Sequence, residues 1–290
     1  MKKLIIFLCL ASHLNSIAQE KVKNFSEQIG VTASTTAAYR ITGIDTIIKN
    51  AFTLAPYFRI MHKSGLGLNY TINTIVSGAK KNLFMQTASA FYEEYDRPVN
   101  LNFSYTHFFF TSNEAIPYTP ITNELHGYIA YENLWLAPAV AASIGFGQDE
   151  NNQTQSVINL AAGATHNFNF STKNIKEADI APSIFLNAGS NGYYSFLQTS
   201  RYITQSAGNK GFLKSKGRGR RNGNGGTTGT TTNQTTATAF TLNNIELNIY
   251  SSFKFGHFEI VPDWSIFVPV SADSQLSAYW QLKLGYNFGE

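Results

Sequence analysis

The stretch Trp280-Gln281-Leu282-Lys283-Leu284-Gly285-Tyr286-Asn287-Phe288 alternates between two kinds of residue. Every second residue is large and apolar, and the residues between them are polar or glycine. Because successive side chains of a β-strand point to opposite faces, this strand has one wholly apolar face and one polar face. The stretch therefore predicts a β-strand that separates two different environments.

The same alternation recurs along the chain and predicts an all-β fold. We predict twelve strands, centred on residues 29–40, 51–61, 65–77, 83–95, 99–110, 124–132, 134–146, 156–170, 180–199, 240–254, 256–268 and 275–288.

The connections between these segments alternate in length. Short ones fall at 62–64, 96–97, 133, 171–177 and 255–256, and long ones at 41–50, 78–82, 111–123, 147–155, 200–239 and 269–274. Short turns on one side, long loops on the other and an even strand number are typical of outer-membrane barrels. We predict a transmembrane up-and-down antiparallel β-barrel of 12 strands, with both termini on the short-turn side.

The composition fits this class and excludes several others. The chain is 43% hydrophobic and 14% aromatic but only 14% charged, whereas soluble domains carry about 25% charged residues. Many aromatics and few charges argue against disorder, and a mean hydropathy of −0.15 argues against a bundle of transmembrane helices. A secreted β-sandwich alternates in the same way with its apolar face inside, and the sequence leaves that alternative open.

Residues 1–18 have the features of a secretory signal peptide. Lys2 and Lys3 precede a short apolar run, and Ser16-Ile17-Ala18 supplies small residues for cleavage. The run is far shorter than the roughly 20 residues of a membrane-spanning helix. Residues 19–290 then form a single barrel domain without cysteine, because Cys9 lies in the signal.

A low-complexity segment at 206–238 falls on the long-loop side and is expected to be external. Without this loop's six cations and the signal's two lysines, the formal charge of +4 becomes −4, so the basic pI indicates no nucleic-acid partner. A solvated insertion is the preferred interpretation, and contact with anionic phosphates at the cell surface is the alternative. The cations of this external basic loop are Lys210, Lys214, Lys216, Arg218, Arg220 and Arg221.

Charged residues on the polar strand faces are candidates for lining the lumen. Their mixed signs suit either a narrow hydrated channel or an interior closed by ion pairs, since buried charges must pair or meet water. The candidates are Arg40, Arg59, Glu94, Glu132, Glu246, Lys254, His257, Glu259, Asp263 and Lys283.

The last strand resembles the closing strand of outer-membrane β-barrel proteins of Gram-negative bacteria. These tend to end in an aromatic residue with another two places before, as Tyr286 and Phe288 do here. The resemblance implies an outer-membrane location in contact with lipid and lipopolysaccharide, and it makes these two aromatics candidates for the signal read by the barrel-assembly machinery. We expect the protein to be a monomer.

No catalytic, metal or cofactor site is predicted. Gly189-Ser190-Asn191-Gly192 resembles the segment around the nucleophile of outer-membrane phospholipase A, but Ala188 stands where that family has histidine. Without a base, a serine hydroxyl is a weak nucleophile. The histidines are scattered and lack zinc-ligand spacing.

Three functions follow from these expectations. The first is a channel or binding barrel for small solutes. The second is a structural or interaction barrel with a filled lumen that acts through external loops or a partner complex. The third, a barrel hydrolase, is disfavoured because no nucleophile–base pair is found, so we expect a protein that is not an enzyme.

Overall fold

The computed structural model describes residues 24–42, 45–76, 82–94, 98–111, 121–148, 152–172, 175, 177–190, 240–270 and 276–288. Outside these ranges lie the predicted signal at 1–18, the predicted external loop at 206–238 with its six cations, residues 191–199 of the predicted ninth strand, and Gly289 and Glu290. The division of the chain into a signal and one barrel domain stays a prediction.

The described residues form thirteen stretches of β-strand. They are β1 (Phe25–Thr42), β2 (Asp45–His62), β3 (Leu66–Ile75), β4 (Asn82–Glu94), β5 (Val99–Phe110), β6 (Ile121–Tyr131), β7 (Ala137–Gln148), β8 (Thr154–Thr165), β9 (Phe168–Phe170), β10 (Glu177–Ser190), β11 (Phe240–Phe255), β12 (Phe258–Pro269) and β13 (Ser277–Phe288).

These stretches close into a barrel of twelve strands. Neighbouring strands pair antiparallel, β8 and β9 both pair with β10, and β13 pairs back onto β1, with Gly285 opposite Gly30. The short β9 continues β8 along the same edge of β10 after a break at His166 and Asn167, so the two count as one strand. The predicted all-β, 12-stranded antiparallel barrel is confirmed.

The two faces of the wall decide between a membrane barrel and a soluble sandwich. The outward face carries large apolar side chains that are half exposed, such as Leu68 at 59% and Val140 at 53%. The inward face carries polar side chains with almost no exposure, such as Thr71 and Asp263 at 0%. A water-soluble sandwich would have the opposite arrangement, so the apolar wall is the face of a barrel that spans a membrane.

The short turns that the structure describes in full, at 63–65, 132–136 and 256–257, lie at the end of the barrel where Phe25 begins β1 and Phe288 ends β13. Two of them use glycine at positive φ, Gly65 at 88° and Gly256 at 59°. Residues with a side chain rarely adopt this backbone conformation, because their Cβ opposes it, and glycine has no Cβ. No helix in the described ranges is long and apolar enough to cross a membrane.

Most predicted strand ends lie within four residues of those in the structure, and two differences have a clear physical reason. The long loop expected at 41–50 is largely strand, because β1 and β2 pair as far as Thr42 opposite Asp45. The three β-branched residues Thr46, Ile47 and Ile48 favour the extended conformation. The segment predicted at 134–146 instead begins at Ala137, and the apolar residues before it belong to the turn.

Candidate functional site in the lumen

An ion pair on the lumen side of the wall joins β2 to β4. Arg59 Nη2 lies 2.5 Å from Glu93 Oε2, and both side chains are less than a tenth exposed. Asn102 on β5 donates a hydrogen bond of 3.0 Å to the other oxygen of this carboxylate. The Arg59 guanidinium also lies 4.2 Å from the centre of the Phe91 ring, an arrangement that favours a cation.

A second ion pair lies on the inward face of β12 and β13. Lys283 Nζ on β13 lies 3.6 Å from Glu259 Oε2 on β12, and both side chains are almost wholly buried. Glu259 also accepts hydrogen bonds from Gln28 at 2.7 Å and from Ser252 at 3.1 Å. These donors help to offset the cost of burying the carboxylate, which is large for an unpaired charge.

Tyr57 lies between the two pairs. Its ring centre is 5.3 Å from Lys283 Nζ, and its side chain packs over Gly30 and Gly285 on the neighbouring strands. Only glycine leaves room for the tyrosine at those two positions. We call Tyr57 and the two ion pairs Arg59–Glu93 and Lys283–Glu259 the ion-pair belt.

A separate acidic cluster lies on β11 and β12. Asn248 Nδ2 donates to Asp263 Oδ1 at 2.7 Å and to Ser265 Oγ at 2.8 Å, and Ser265 Oγ donates to Glu246 Oε1 at 3.2 Å. Gln281 adds a 3.2 Å hydrogen bond to the second oxygen of Asp263. In the described part of the chain, no group of three histidine, cysteine or acidic side chains could hold a metal ion.

A mainly apolar cluster also lies in the interior, on β6, β7, β8, β10, β11 and β12. Tyr128, Phe185 and Tyr250 are at most 2% exposed and lie in one buried cluster with alanines and a valine. Phe185 covers Gly163 in the same way as Tyr57 covers its glycines. The large rings fill space that the alanines leave free, so this part of the lumen is occupied by side chains.

Several buried polar atoms on the inward face have no hydrogen-bond partner within the described residues. They include the hydroxyls of Thr32, Tyr57 and Thr87 and both amide atoms of Asn73. A buried polar group without a partner costs about 1–3 kcal/mol. Such groups are commonly satisfied by internal water, so this interior is chemically suited to hydration.

The sequence candidates fall in different places. Arg59, Glu246, Glu259, Asp263 and Lys283 are buried on the inward face, and Lys254 pairs with Glu177 at 2.7 Å near the short-turn end. Arg40 lies in β1, and its side chain is outside the described part.

Three candidates differ from expectation. His257 lies exposed in the turn between β11 and β12, with its ring 5.6 Å from that of Tyr286 on the outer wall. Glu132 lies in the turn after β6. Glu93, and not Glu94, enters the lumen, because an irregularity in β4 between Leu83 and Met85 resets the alternation of its faces.

Sequence analysis also missed Tyr57 and Gln28. The signal for Tyr57 was present as an aromatic residue on an otherwise polar face, but its glycine partners are distant in sequence. Only the register of β13, β1 and β2 brings Gly285, Gly30 and Tyr57 together.

Tyr286 and Phe288, the predicted assembly-signal residues, form an aromatic group on the outer wall. Their rings are 4.9 Å apart, and the ring of Phe258 lies 5.1 Å from that of Tyr286. Aromatic girdles flank the apolar band of membrane barrels at the two interfaces. The group lies at the short-turn end, where such a girdle is expected.

A closed antiparallel barrel with an apolar outer wall and a polar interior is an outer-membrane β-barrel protein. No family model and no curated protein sequence matches the chain.

Solved structures with similar folds include an outer membrane channel from Pseudomonas putida F1, at 9% identity, with 93% of this chain and 97% of that chain covered and a TM-score of 0.44. The NanC porin is 8% identical over 91% of this chain and 100% of that chain, with a TM-score of 0.42.

Proposed function

We propose that this protein is a narrow outer-membrane channel for small polar solutes or ions, held nearly closed by the ion-pair belt. The observation that carries the proposal is the inversion of the wall, which places charged and amide side chains inside an apolar exterior. Rings of charged side chains are a common means by which pores select what passes. The uncompensated inward hydroxyls supply further contacts for water along the same path.

The ion-pair belt is the constriction in this proposal. Arg59 and Glu93 extend from β2 and β4, and Lys283 and Glu259 extend from the closing strands, so the four long side chains occupy the same region of the lumen. Because each pair is neutral overall, the belt blocks mainly by volume. Shortening both members of one pair opens space without leaving a buried charge.

The test is single-channel recording in planar bilayers with the wild type and the double variant Arg59→Ala/Glu93→Ala. We expect a small conductance for the wild type and a larger one for the variant, since two long side chains leave the lumen. Val140→Ala, on the outer wall of β7, is the matched control and should not change the conductance. Heat-modifiable migration on gels verifies that each variant is folded.

A filled barrel that acts through external loops or a partner complex is the second candidate. It is favoured by the near-zero exposure of large inward side chains such as Tyr128, Phe185, Gln281 and Lys283. If neither the wild type nor the double variant shows any conductance at high protein concentration, the channel proposal is contradicted and this candidate is favoured. Equal conductance in both would show that the belt is not the constriction.

A further inference from the structure

The outer wall carries a concave site across strands β12, β13, β1, β2 and β3. Its volume is about 510 Å³, and its sides are aromatic and aliphatic. The outer surface of a barrel is convex, so a depression of this size on it needs a local cause. It lies outside the lumen and is independent of any transport through the barrel.

The cause is that two short outward side chains, Val31 and Pro56, lie between longer ones. Val31 on β1 lies directly opposite Pro56 on β2 and Leu284 on β13. The longer side chains of Phe58 on β2 and Ile72 on β3 border Val31 and Pro56 on one side. The centre of the groove is therefore low and its border is high.

The backbone beneath the groove contributes a second cause. Gly30, Tyr57 and Gly285 also border the site, and the Tyr57 ring packs against the two glycines from the lumen side. The pairing of β2 with β3 is interrupted between Leu54 opposite Thr74 and Tyr57 opposite Thr71. Pro56 falls in this interruption, where it has no N–H to donate to the ladder.

The position of the groove identifies its surroundings. Phe258 begins β12 directly after a short turn, and Tyr286 lies near the end of β13, so the groove occupies the short-turn half of the wall. Its outward side chains are continuous with the exposed apolar face that meets the membrane. Ile29 is 40% exposed, and Leu284 is 44% exposed.

We propose that this groove binds one acyl chain of a phospholipid from the leaflet on the short-turn side. The walls offer hydrocarbon and aromatic contacts, and the Tyr70 hydroxyl at the edge already donates to Gln86. An apolar cavity of about 150 Å³ holds benzene, so about 510 Å³ accommodates a long segment of chain. The headgroup would remain at the short-turn interface beside the aromatic group of Phe258 and Tyr286.

The test is native mass spectrometry of the detergent-solubilised barrel titrated with dioleoyl-phosphatidylethanolamine. The variants Val31→Trp and Ile72→Trp fill the groove from its floor and from its border. Val140→Trp adds the same indole to the exposed wall of β7 and is the matched control. Heat-modifiable migration confirms that all four proteins are folded before binding is compared.

We expect the wild type and Val140→Trp to retain one phospholipid and both groove variants to bind it about tenfold more weakly. Excluding about two methylenes from an apolar site gives a change of this order. Equal retention by all four proteins would place the bound lipid elsewhere on the wall. Absence of retained lipid in the wild type would also overturn the proposal, whatever the outcome of the channel measurements.

Discussion

At the scale of single residues, the interior depends on charges that were costly to bury. Lys283 and Glu259 are 1% exposed, and their separation of 3.6 Å is supported by hydrogen bonds to the carboxylate from Gln28 and Ser252. Removing one partner of a buried pair leaves an uncompensated charge, whereas removing both leaves none. The pair is therefore expected to be strongly coupled in the free energy of unfolding.

This coupling is measurable with Lys283→Met, Glu259→Gln and the double variant. Each single substitution should lower the free energy of unfolding by about 3–5 kcal/mol, and the double variant should lose less than the sum. Urea unfolding in lipid vesicles gives the three values.

The partly exposed pair Lys254–Glu177 is the control for that cycle, since its side chains are 12% and 37% exposed. An ion pair in contact with water contributes about 0.2–1 kcal/mol. Additive effects at Lys283 and Glu259, equal in size to those of the control pair, would contradict the description of a dry buried pair.

At the scale of elements, strand register sets the depth of each side chain in the membrane. Trp264 lies near the middle of β12, opposite Trp280 on β13, and both point outward. Trp135 is 77% exposed in the turn between β6 and β7. Its ring packs 4.7 Å from that of His166, at the break between β8 and β9. These positions place Trp264 and Trp280 at mid-wall and Trp135 at the end of the barrel.

Three variants that each retain one tryptophan, with phenylalanine at the other two positions, test these depths. In vesicles, Trp264 should give the bluest emission and the strongest quenching by bromine placed deep in the acyl chains. Trp135 should be redder and more accessible to acrylamide, because it lies beyond the strands. A deep position for Trp135 would contradict the observed end of β6 at Tyr131.

At the scale of the whole molecule, the pairing of β13 with β1 places the first and last strand ends at the same end of the barrel. Every described short turn lies at the end of the barrel where β1 begins and β13 ends. Outer-membrane barrels have short periplasmic turns and longer extracellular loops. Lys63, in the turn after β2, should therefore face the periplasm, and Gln153, before β8, should face the exterior.

Single-cysteine variants test this orientation, since Cys9 in the predicted signal is the only native cysteine. A membrane-impermeant maleimide should label Gln153→Cys in intact cells and Lys63→Cys only after the outer membrane is permeabilised. Folded protein is verified by heat-modifiable migration. Labelling of Lys63→Cys in intact cells would reverse the assigned orientation.

Local sequence alternation was enough to predict the strands, their number and most of their ends to within four residues. Alternation is a local property, because each side chain's face follows from its place along the strand. The segment 99–110 coincides with β5 (Val99–Phe110) for this reason. Where a local irregularity breaks the alternation, as in β4, the sequence assigned Glu94 to the lumen in place of Glu93.

Which face lies inside the barrel, and which side chains meet there, became evident only from the closed fold. Apolar-in and apolar-out sheets have the same periodicity, so the inversion appears only when the barrel closes. The ion-pair belt joins residues from β2, β4, β12 and β13, and its contacts depend on register between strands far apart in sequence. The groove at Val31 likewise exists only because neighbouring strands place short side chains beside tall ones.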